Sequence, residues 1–221
     1  MSQPCDLTNN NISSIENGTF FNCDRLVHLY LNHVPLVSLH KESLKGLPRI
    51  LDIVVIRAPD LCYIEPVLFD FTVAEYITIT SDCLRNLSGR IFGPNSSFVG
   101  SIHIEFMPKL QEISRKIFDG ISYLGKLRLR YTELTRLPKG LFDNTMIGSH
   151  MDLSRNRLEY LEDNFLESSP TLNGLFLYRN NLTHVSVDVF AGLKSLKTLL
   201  LFQNRLTEIP TLKHLPKLET L

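Results

Sequence analysis

The sequence predicts an α/β solenoid shaped like a horseshoe, with a parallel β-sheet on the concave face and irregular and short helical segments on the convex face. Three observations predict this fold. One apolar pattern recurs about every 24 residues, it covers nearly all of the 221-residue chain, and no linker or low-complexity segment interrupts it. A single repeat cannot bury its own apolar faces, so stacked repeats must bury them against each other. We therefore expect a single domain over residues 1–221.

The pattern is clearest in four aligned segments: LRLRYTEL from Leu127, MDLSRNRL from Met151, LFLYRNNL from Leu175 and LLLFQNRL from Leu199. It reads L-x-x-L-x-L-x-x-N-x-L-x-x-L. Positions 4 and 6 lie two apart on a strand and so point to the same interior. About nine repeats begin at Ser2, Leu26, Leu51, Ala74, Val99, Leu124, Gly148, Leu172 and Leu196, and a tenth starts at Leu218. A late phenylalanine should fill the far side of the interior, as Phe20, Phe69, Phe92, Phe118, Phe142 and Phe190.

Position 9, where the chain leaves the strand, carries asparagine in four repeats: Asn10, Asn156, Asn180 and Asn204. An amide has two donor hydrogens and an acceptor oxygen, so it can satisfy buried backbone groups of its own and the adjacent repeat. We expect these four residues to form a structural asparagine ladder. Repeats three to five carry Pro59, Asp82 and Met107 instead and are predicted to be irregular.

These motifs, seen in LGKLRLRYTELTRLPKGLF and LKSLKTLLLFQNRLTEIP, resemble the leucine-rich repeat family. The repeat length and the late phenylalanine are similar to the typical extracellular subclass of Toll-like receptors, Slit-type guidance proteins, small proteoglycans and hormone receptors. The irregular repeats are also similar to secreted arthropod leucine-rich proteins, including the non-catalytic subunit of a shrimp luciferase. The resemblance implies recognition rather than catalysis. The cysteine-rich end caps of that subclass are missing, so we expect a fragment of a longer protein.

Several features bear on the compartment. The glycosylation pattern N-x-S/T occurs at five asparagines, none of them at position 9: Asn11, Asn17, Asn86, Asn95 and Asn181. Cys62 and Cys83 lie on one edge of neighbouring repeats and form a candidate disulfide, which requires Cα atoms within about 7 Å. Cys5 is expected in the core, whereas Cys23 either pairs with a missing cap or is buried. We expect an extracellular or cell-surface glycoprotein. The alternative is that these glycosylation patterns arise by chance in an intracellular protein.

Composition and motifs exclude several function classes. The zero net charge gives no reason to expect nucleic acid or an anionic membrane as partner, and no apolar run is long enough to span a bilayer. His28 and His33 lack the further ligands that a metal needs. His103 and Glu105 lie side by side on one strand but have no nucleophile partner. We expect no enzyme activity, no metal and no cofactor.

A partner surface is predicted across repeats six to nine, because strand alternation projects positions 2, 3, 5, 7 and 8 from the concave face. Aromatic residues and arginine dominate binding hot spots. The candidates are Arg128, Arg130, Tyr131, Arg155, Phe176, Tyr178, Arg179 and Phe202, with Asp152 and Leu200 on the same strands and Glu105 and Phe106 leading into them. The alternative is that the aromatic rings only cover the sheet.

Together these features favour an extracellular recognition module that binds a protein or other ligand on its concave face, within a receptor ectodomain or a secreted binding protein. The alternatives are an intracellular scaffold and a non-catalytic subunit that regulates a separate enzyme. Fold alone does not name the ligand.

Overall fold

A computed structural model describes residues 3–47, 50–70, 73–94 and 96–221. Within them the strands, numbered along the chain, are β1 (Gln3–Asp6), β2 (Leu26–Asn32), β3 (Ser38–Leu39), β4 (Ile50–Arg57), β5 (Tyr63–Ile64), β6 (Val73–Thr80), β7 (Asn86–Leu87), β8 (Phe98–Met107), β9 (Glu112–Ile113), β10 (Tyr123–Thr132), β11 (Met146–Asp152), β12 (Gly174–Phe176) and β13 (Thr198–Leu200). Two short 3-10 helices span Lys41–Ser43 and Val187–Phe190.

One strand from each repeat joins a parallel nine-stranded sheet in the order β1-β2-β4-β6-β8-β10-β11-β12-β13. The order follows the chain, so each repeat stacks directly on the one before it. After the turn, β3 pairs with β5 and β7 pairs with β9 in two small sheets. The described residues form a parallel sheet stacked as a solenoid of about 8 turns with almost no helix, as the repeat predicted.

The core follows the repeat positions. Leu127 and Leu129 of β10 are buried, and their equivalents Leu175 and Leu177 are fully buried two repeats later. The late phenylalanines are buried as predicted, and they stack along the solenoid, with centroids 5.6 Å apart for Phe69 and Phe92 and 5.7 Å apart for Phe118 and Phe142. The buried residues form a continuous cluster from Phe20 to Leu215.

The strand exit has its own backbone conformation. Position 8 is left-handed without being glycine at Asn9, His33, Phe106, Tyr131, Arg155, Arg179 and Gln203, with φ between 53° and 58°. This region costs a non-glycine residue about 1–2 kcal/mol, so packing between repeats must hold it. In repeats three and four the equivalent residues, Ala58 and Ser81, are buried and lack this conformation. The irregularity predicted there thus lies in the turn itself.

Candidate functional site

The concave sheet places side chains of neighbouring repeats side by side. The registers bring His103 of β8, Arg128 of β10, Asp152 of β11, Phe176 of β12 and Leu200 of β13 into one row across the sheet. A second row begins with Glu105 opposite Arg130. The concave face of repeats five to nine therefore has a continuous set of neighbours, fixed by backbone pairing.

At the centre of this face the Arg130 guanidinium lies between two buried carboxylates. Its Nε donates to Glu105 Oε2 at 2.6 Å, and its Nη1 donates to Asp152 Oδ2 at 3.4 Å. Burial lowers the pKa of Arg130, but the two carboxylates outweigh it, so the pKa is raised overall. The residue predicted as a partner contact is thus held within the sheet surface and has its charge matched there.

His103 lies beside this group. Its Nδ1 is 3.0 Å from the Tyr76 hydroxyl and 3.9 Å from Glu105 Oε1. Burial and the nearby Arg128 lower the pKa of His103 to about 4, so the ring is neutral at physiological pH. A neutral ring that bonds a tyrosine is a structural part of the surface.

Two stacked aromatic pairs flank the charged centre. Phe106 and Tyr131 stack with ring centroids 4.6 Å apart, and the Arg155 guanidinium lies 4.8 Å from the Tyr131 centroid. Tyr178 and Phe202 stack with centroids 4.6 Å apart and planes at 6°. Phe202 lies on the inner face, just after its strand ends, and is 53% exposed. Each pair joins two neighbouring repeats.

The remaining predicted contacts lie on the same face. Arg128 and Arg179 are exposed, and Arg179 donates to the Gln203 side chain in the next repeat. Phe176 is half-buried, with its ring 6.2 Å from the His150 ring. The structure therefore brings the predicted contact residues onto one face. Arg130 differs from the others because its charge is already paired.

The position-9 asparagines bond the turns of successive repeats. Asn180 donates from Nδ2 to the carbonyls of Leu153 and Leu177, both at 3.0 Å, and its Oδ1 accepts from the Leu158 backbone at 3.0 Å. Asn156 and Asn204 make the same kind of bonds. Asn10 is exposed, and its Nδ2 donates to carbonyls of its own repeat, Leu7 at 3.1 Å and Thr8 at 3.4 Å.

Two hydroxyl residues extend this bonding in repeats that have no asparagine at position 9. Thr132, at position 9 of repeat six, donates its hydroxyl to Asn156 Oδ1 at 2.7 Å. Ser81 donates to the Leu61 carbonyl at 2.6 Å and accepts from the backbone of Cys83 and Leu84. The repeat pattern places Asp82 at position 9 of repeat four, but Asp82 is exposed. Ser81, one residue earlier, is the small polar residue that could have indicated this hydrogen bonding.

Cys62 and Cys83 form a disulfide with Cα atoms 4.8 Å apart, and it joins the outer turns of repeats three and four. Cys5 and Cys23 are free and partly buried. Burial raises the pKa of the Cys5 thiol, helped by Cys23 and Asp6. Among the glycosylation patterns, Asn11, Asn17 and Asn86 are exposed and Asn181 is half-buried. Asn95 lies outside the described residues.

Within the described ranges, no group of three or more His, Cys, Asp or Glu residues could hold a metal ion. His28 pairs with Asp52 at 3.5 Å, and His33 is exposed. No helix in the described part of the chain is long and apolar enough to cross a membrane.

A family model described as "Leucine rich repeat" matches residues 6–54, 149–206 and 170–221, which together exceed half of the chain. The chain belongs to the leucine-rich repeat family. Most of repeats three to six lies between the matched segments, and none of these four repeats has asparagine at position 9. The sequence matches no curated protein.

Two solved structures share the leucine-rich repeat fold of this chain. A chain of the Drosophila Toll–Spatzle complex, a molecular hub in development and innate immunity, aligns with a TM-score of 0.70 and 22% identity over 94% of this chain and 31% of that chain. TLR13 in complex with ssRNA13 aligns with a TM-score of 0.71 and 19% identity over 90% of this chain and 28% of that chain. This chain therefore spans about a third of the length of either.

Proposed function

We propose that this leucine-rich repeat chain is an extracellular recognition module that binds a protein partner on the concave face of repeats six to nine and performs no catalysis. The observation that carries the proposal is the Tyr178–Phe202 pair. Its outer ring is 53% exposed on the inner face, where the buried core does not use it. Large rings left open on a rigid surface are typical of binding hot spots.

Further features support this proposal. The centre of the face is held by the pairing of Arg130 with Glu105 and Asp152, and the rings of neighbouring repeats hold each other by stacking, so we expect little reorganisation on binding. An extracellular or cell-surface location is supported by the disulfide of Cys62 with Cys83 and by exposed glycosylation patterns. A single domain over residues 1–221 is supported by the continuous core. The partners of Toll and TLR13 belong to those proteins, and the partner proposed here is identified only as a protein.

The location is tested on the native protein. Soluble and membrane fractions are blotted with and without an enzyme that removes N-glycans. We expect a heavy band that shrinks on treatment. An unshifted soluble band near 25 kDa would instead favour the intracellular scaffold.

The face is tested with two matched variants. Extracellular proteins are screened for binding to the purified chain, and each partner is then measured against Phe202→Ser and against Tyr160→Ser. Tyr160 is a comparably exposed aromatic residue, 44% exposed, that lies outside the sheet. We expect Phe202→Ser to weaken binding at least tenfold, about 1.4 kcal/mol, and Tyr160→Ser to leave it unchanged. Partners that bind both variants as tightly as the unaltered chain would overturn the concave-face proposal.

A further inference from the structure

The exposed charges on the concave face of repeats six to eight are basic. Strand β10 projects Lys126, Arg128 and Arg130 from one side because they alternate along the strand. Lys126, Arg128 and Arg179 are exposed and Arg155 is half-buried. None of these four takes part in the ion pairs found in the described part of the chain.

The carboxylates on this face are already occupied. Glu105 and Asp152 are 9% and 7% exposed, and both bond to Arg130. Asp152 also accepts the hydroxyl of Ser154 at 2.5 Å. Arg130 offsets one of these two negative charges, and the four other basic side chains take part in no ion pair found in the described residues, so these seven groups together carry a net charge of +3. The local surface is cationic although the whole chain has no net charge.

Basic side chains also act on two histidines of this face. Burial is the main cause that lowers the pKa of both rings; Arg128 lowers the pKa of His103 further, although Glu105 and Asp152 oppose it, and Lys126 lowers the pKa of His150 further. Arg128 and Lys126 therefore disfavour a second positive charge beside them. A negatively charged ligand would meet the opposite effect there.

Stacking covers one face of each ring in the two aromatic pairs. Tyr131 has Phe106 stacked on one side and the Arg155 guanidinium over the ring as well. Tyr178 stacks on Phe202 of the next repeat with nearly parallel planes. Because rings of neighbouring repeats cover each other's faces, less ring face and more ring edge remains for a ligand. Ring edges are electropositive and suit carboxylates, whereas bases of a single strand need open ring faces.

We propose that the partner segment seated on repeats six to eight is acidic: a stretch of protein rich in Asp and Glu whose carboxylates meet Lys126, Arg128, Arg155 and Arg179. This proposal rests on the proposed function and specifies the chemistry of its partner. The net charge of the whole chain does not indicate this basic surface, because acidic residues elsewhere in the chain balance it.

The test uses three fluorescein-labelled probes of equal length: a twelve-residue peptide repeating Glu-Glu-Tyr, the matching Lys-Lys-Tyr peptide, and a twelve-nucleotide oligouridine. Fluorescence anisotropy is measured at low and at moderate salt. We expect the acidic peptide to bind most tightly and to weaken at least tenfold as salt rises, since exposed charges are screened. Tighter binding of oligouridine would overturn the proposal in favour of nucleic acid. No preference for the acidic peptide over the basic one would also overturn it.

Matched charge reversals locate the site. The double variant Lys126→Glu/Arg128→Glu reverses two concave charges, and Lys139→Glu/Lys194→Glu reverses two exposed charges outside the sheet. We expect the first to weaken the acidic peptide at least tenfold and the second to leave it within twofold. Equal losses from both would overturn the proposal. Circular dichroism establishes that each variant is folded, and Lys126→Gln/Arg128→Gln provides a milder form if the reversal does not fold.

The same variants separate this proposal from the proposed function. A protein partner lost with Phe202→Ser but retained with Lys126→Glu/Arg128→Glu would leave the concave face as the binding site and overturn its acidic specificity. A partner indifferent to Phe202→Ser would overturn the proposed function itself.

Discussion

The side-chain oxygen of Asn156 accepts hydrogen bonds from both the backbone N–H and the hydroxyl of Thr132, at 3.0 and 2.7 Å. Thr132 is the position-9 residue of the preceding repeat, so the two side chains link equivalent turns of stacked repeats. Asn156 also donates to the carbonyls of Leu129 and Leu153 at 2.7 and 2.9 Å. Its amide therefore satisfies four groups in two repeats at once.

Replacing Asn156 with alanine should destabilise the chain by about 3 kcal/mol, because buried backbone groups lose their partners at about 1–3 kcal/mol each. Urea unfolding followed by circular dichroism measures this change. Asn10→Ala is the matched control. Its amide is exposed and bonds its own repeat, so we expect a change below about 0.5 kcal/mol. Equal effects of the two substitutions would contradict the role given to Asn156.

Arg130→Met should destabilise the fold by about 3 kcal/mol, because it leaves the buried carboxylates of Glu105 and Asp152 without their partner. Arg128→Met removes a cation that is exposed and unpaired within the described residues, so the change should stay below about 0.5 kcal/mol. The comparison is made by urea unfolding at neutral pH. If Arg128→Met destabilised as much as Arg130→Met, the pairing of Arg130 would not be the cause.

The Cys62–Cys83 disulfide should stabilise repeats three and four, where position 9 lacks asparagine. Closing a loop of this length is worth about 3 kcal/mol in the chain-entropy account. The double variant Cys62→Ser/Cys83→Ser should speed backbone hydrogen exchange in those repeats and leave repeats seven to nine protected. Alkylation without reductant should label the two free thiols, Cys5 and Cys23. Alkylation after reduction should label four thiols. Four labelled thiols before reduction would contradict the disulfide.

The fold was predictable because the same apolar positions recur from one repeat to the next. Positions 4 and 6 are buried even in repeats three to five, where Val54, Ile77 and Ile102 replace leucine. The turn was less predictable, since several small polar groups can bond the same carbonyls. Ser81 does so one residue before the aligned position. A pattern that expects asparagine cannot identify a hydroxyl that satisfies the same groups.

The concave face was predictable as a set of residues but not as a charge distribution. Alternation places Arg128 and Arg130 on one side equally, yet one is exposed and the other is paired. Aligned repeats put Glu105 and Arg130 at the same position 7, which could have indicated that pair. The bond to Asp152 crosses from position 7 to position 5. It depends on side-chain lengths and directions that the repeat pattern does not contain.

As the pH is lowered, His103 should reduce the stability of the fold at a higher pH than the carboxylates do. Its pKa is lowered to about 4 in the folded chain from an ordinary value of 6.5, first by burial and then by Arg128. Below pH 6.5 the unfolded chain therefore binds a proton that the folded chain does not. Stability is then lost as pH falls toward 4, by at most about 1.4 kcal/mol per pH unit for one proton.

Urea midpoints measured between pH 7 and 4.5 test this. His103→Gln cannot titrate and should show a smaller fall than the unaltered chain. Tyr76→Phe removes the hydroxyl that lies 3.0 Å from His103 Nδ1 but keeps the His103 ring buried, so the fall in stability should remain. Carboxylates such as Asp6 and Glu42 have lowered pKa values, from hydrogen bonds to Thr8 and to Lys45, and lose their contributions mainly at the acid end of this window and below it. If the stability of the His103→Gln variant fell with pH as much as that of the unaltered chain, another group would be responsible. The other charged groups around this position are still present in the variant: Glu105, Arg128, Arg130 and Asp152.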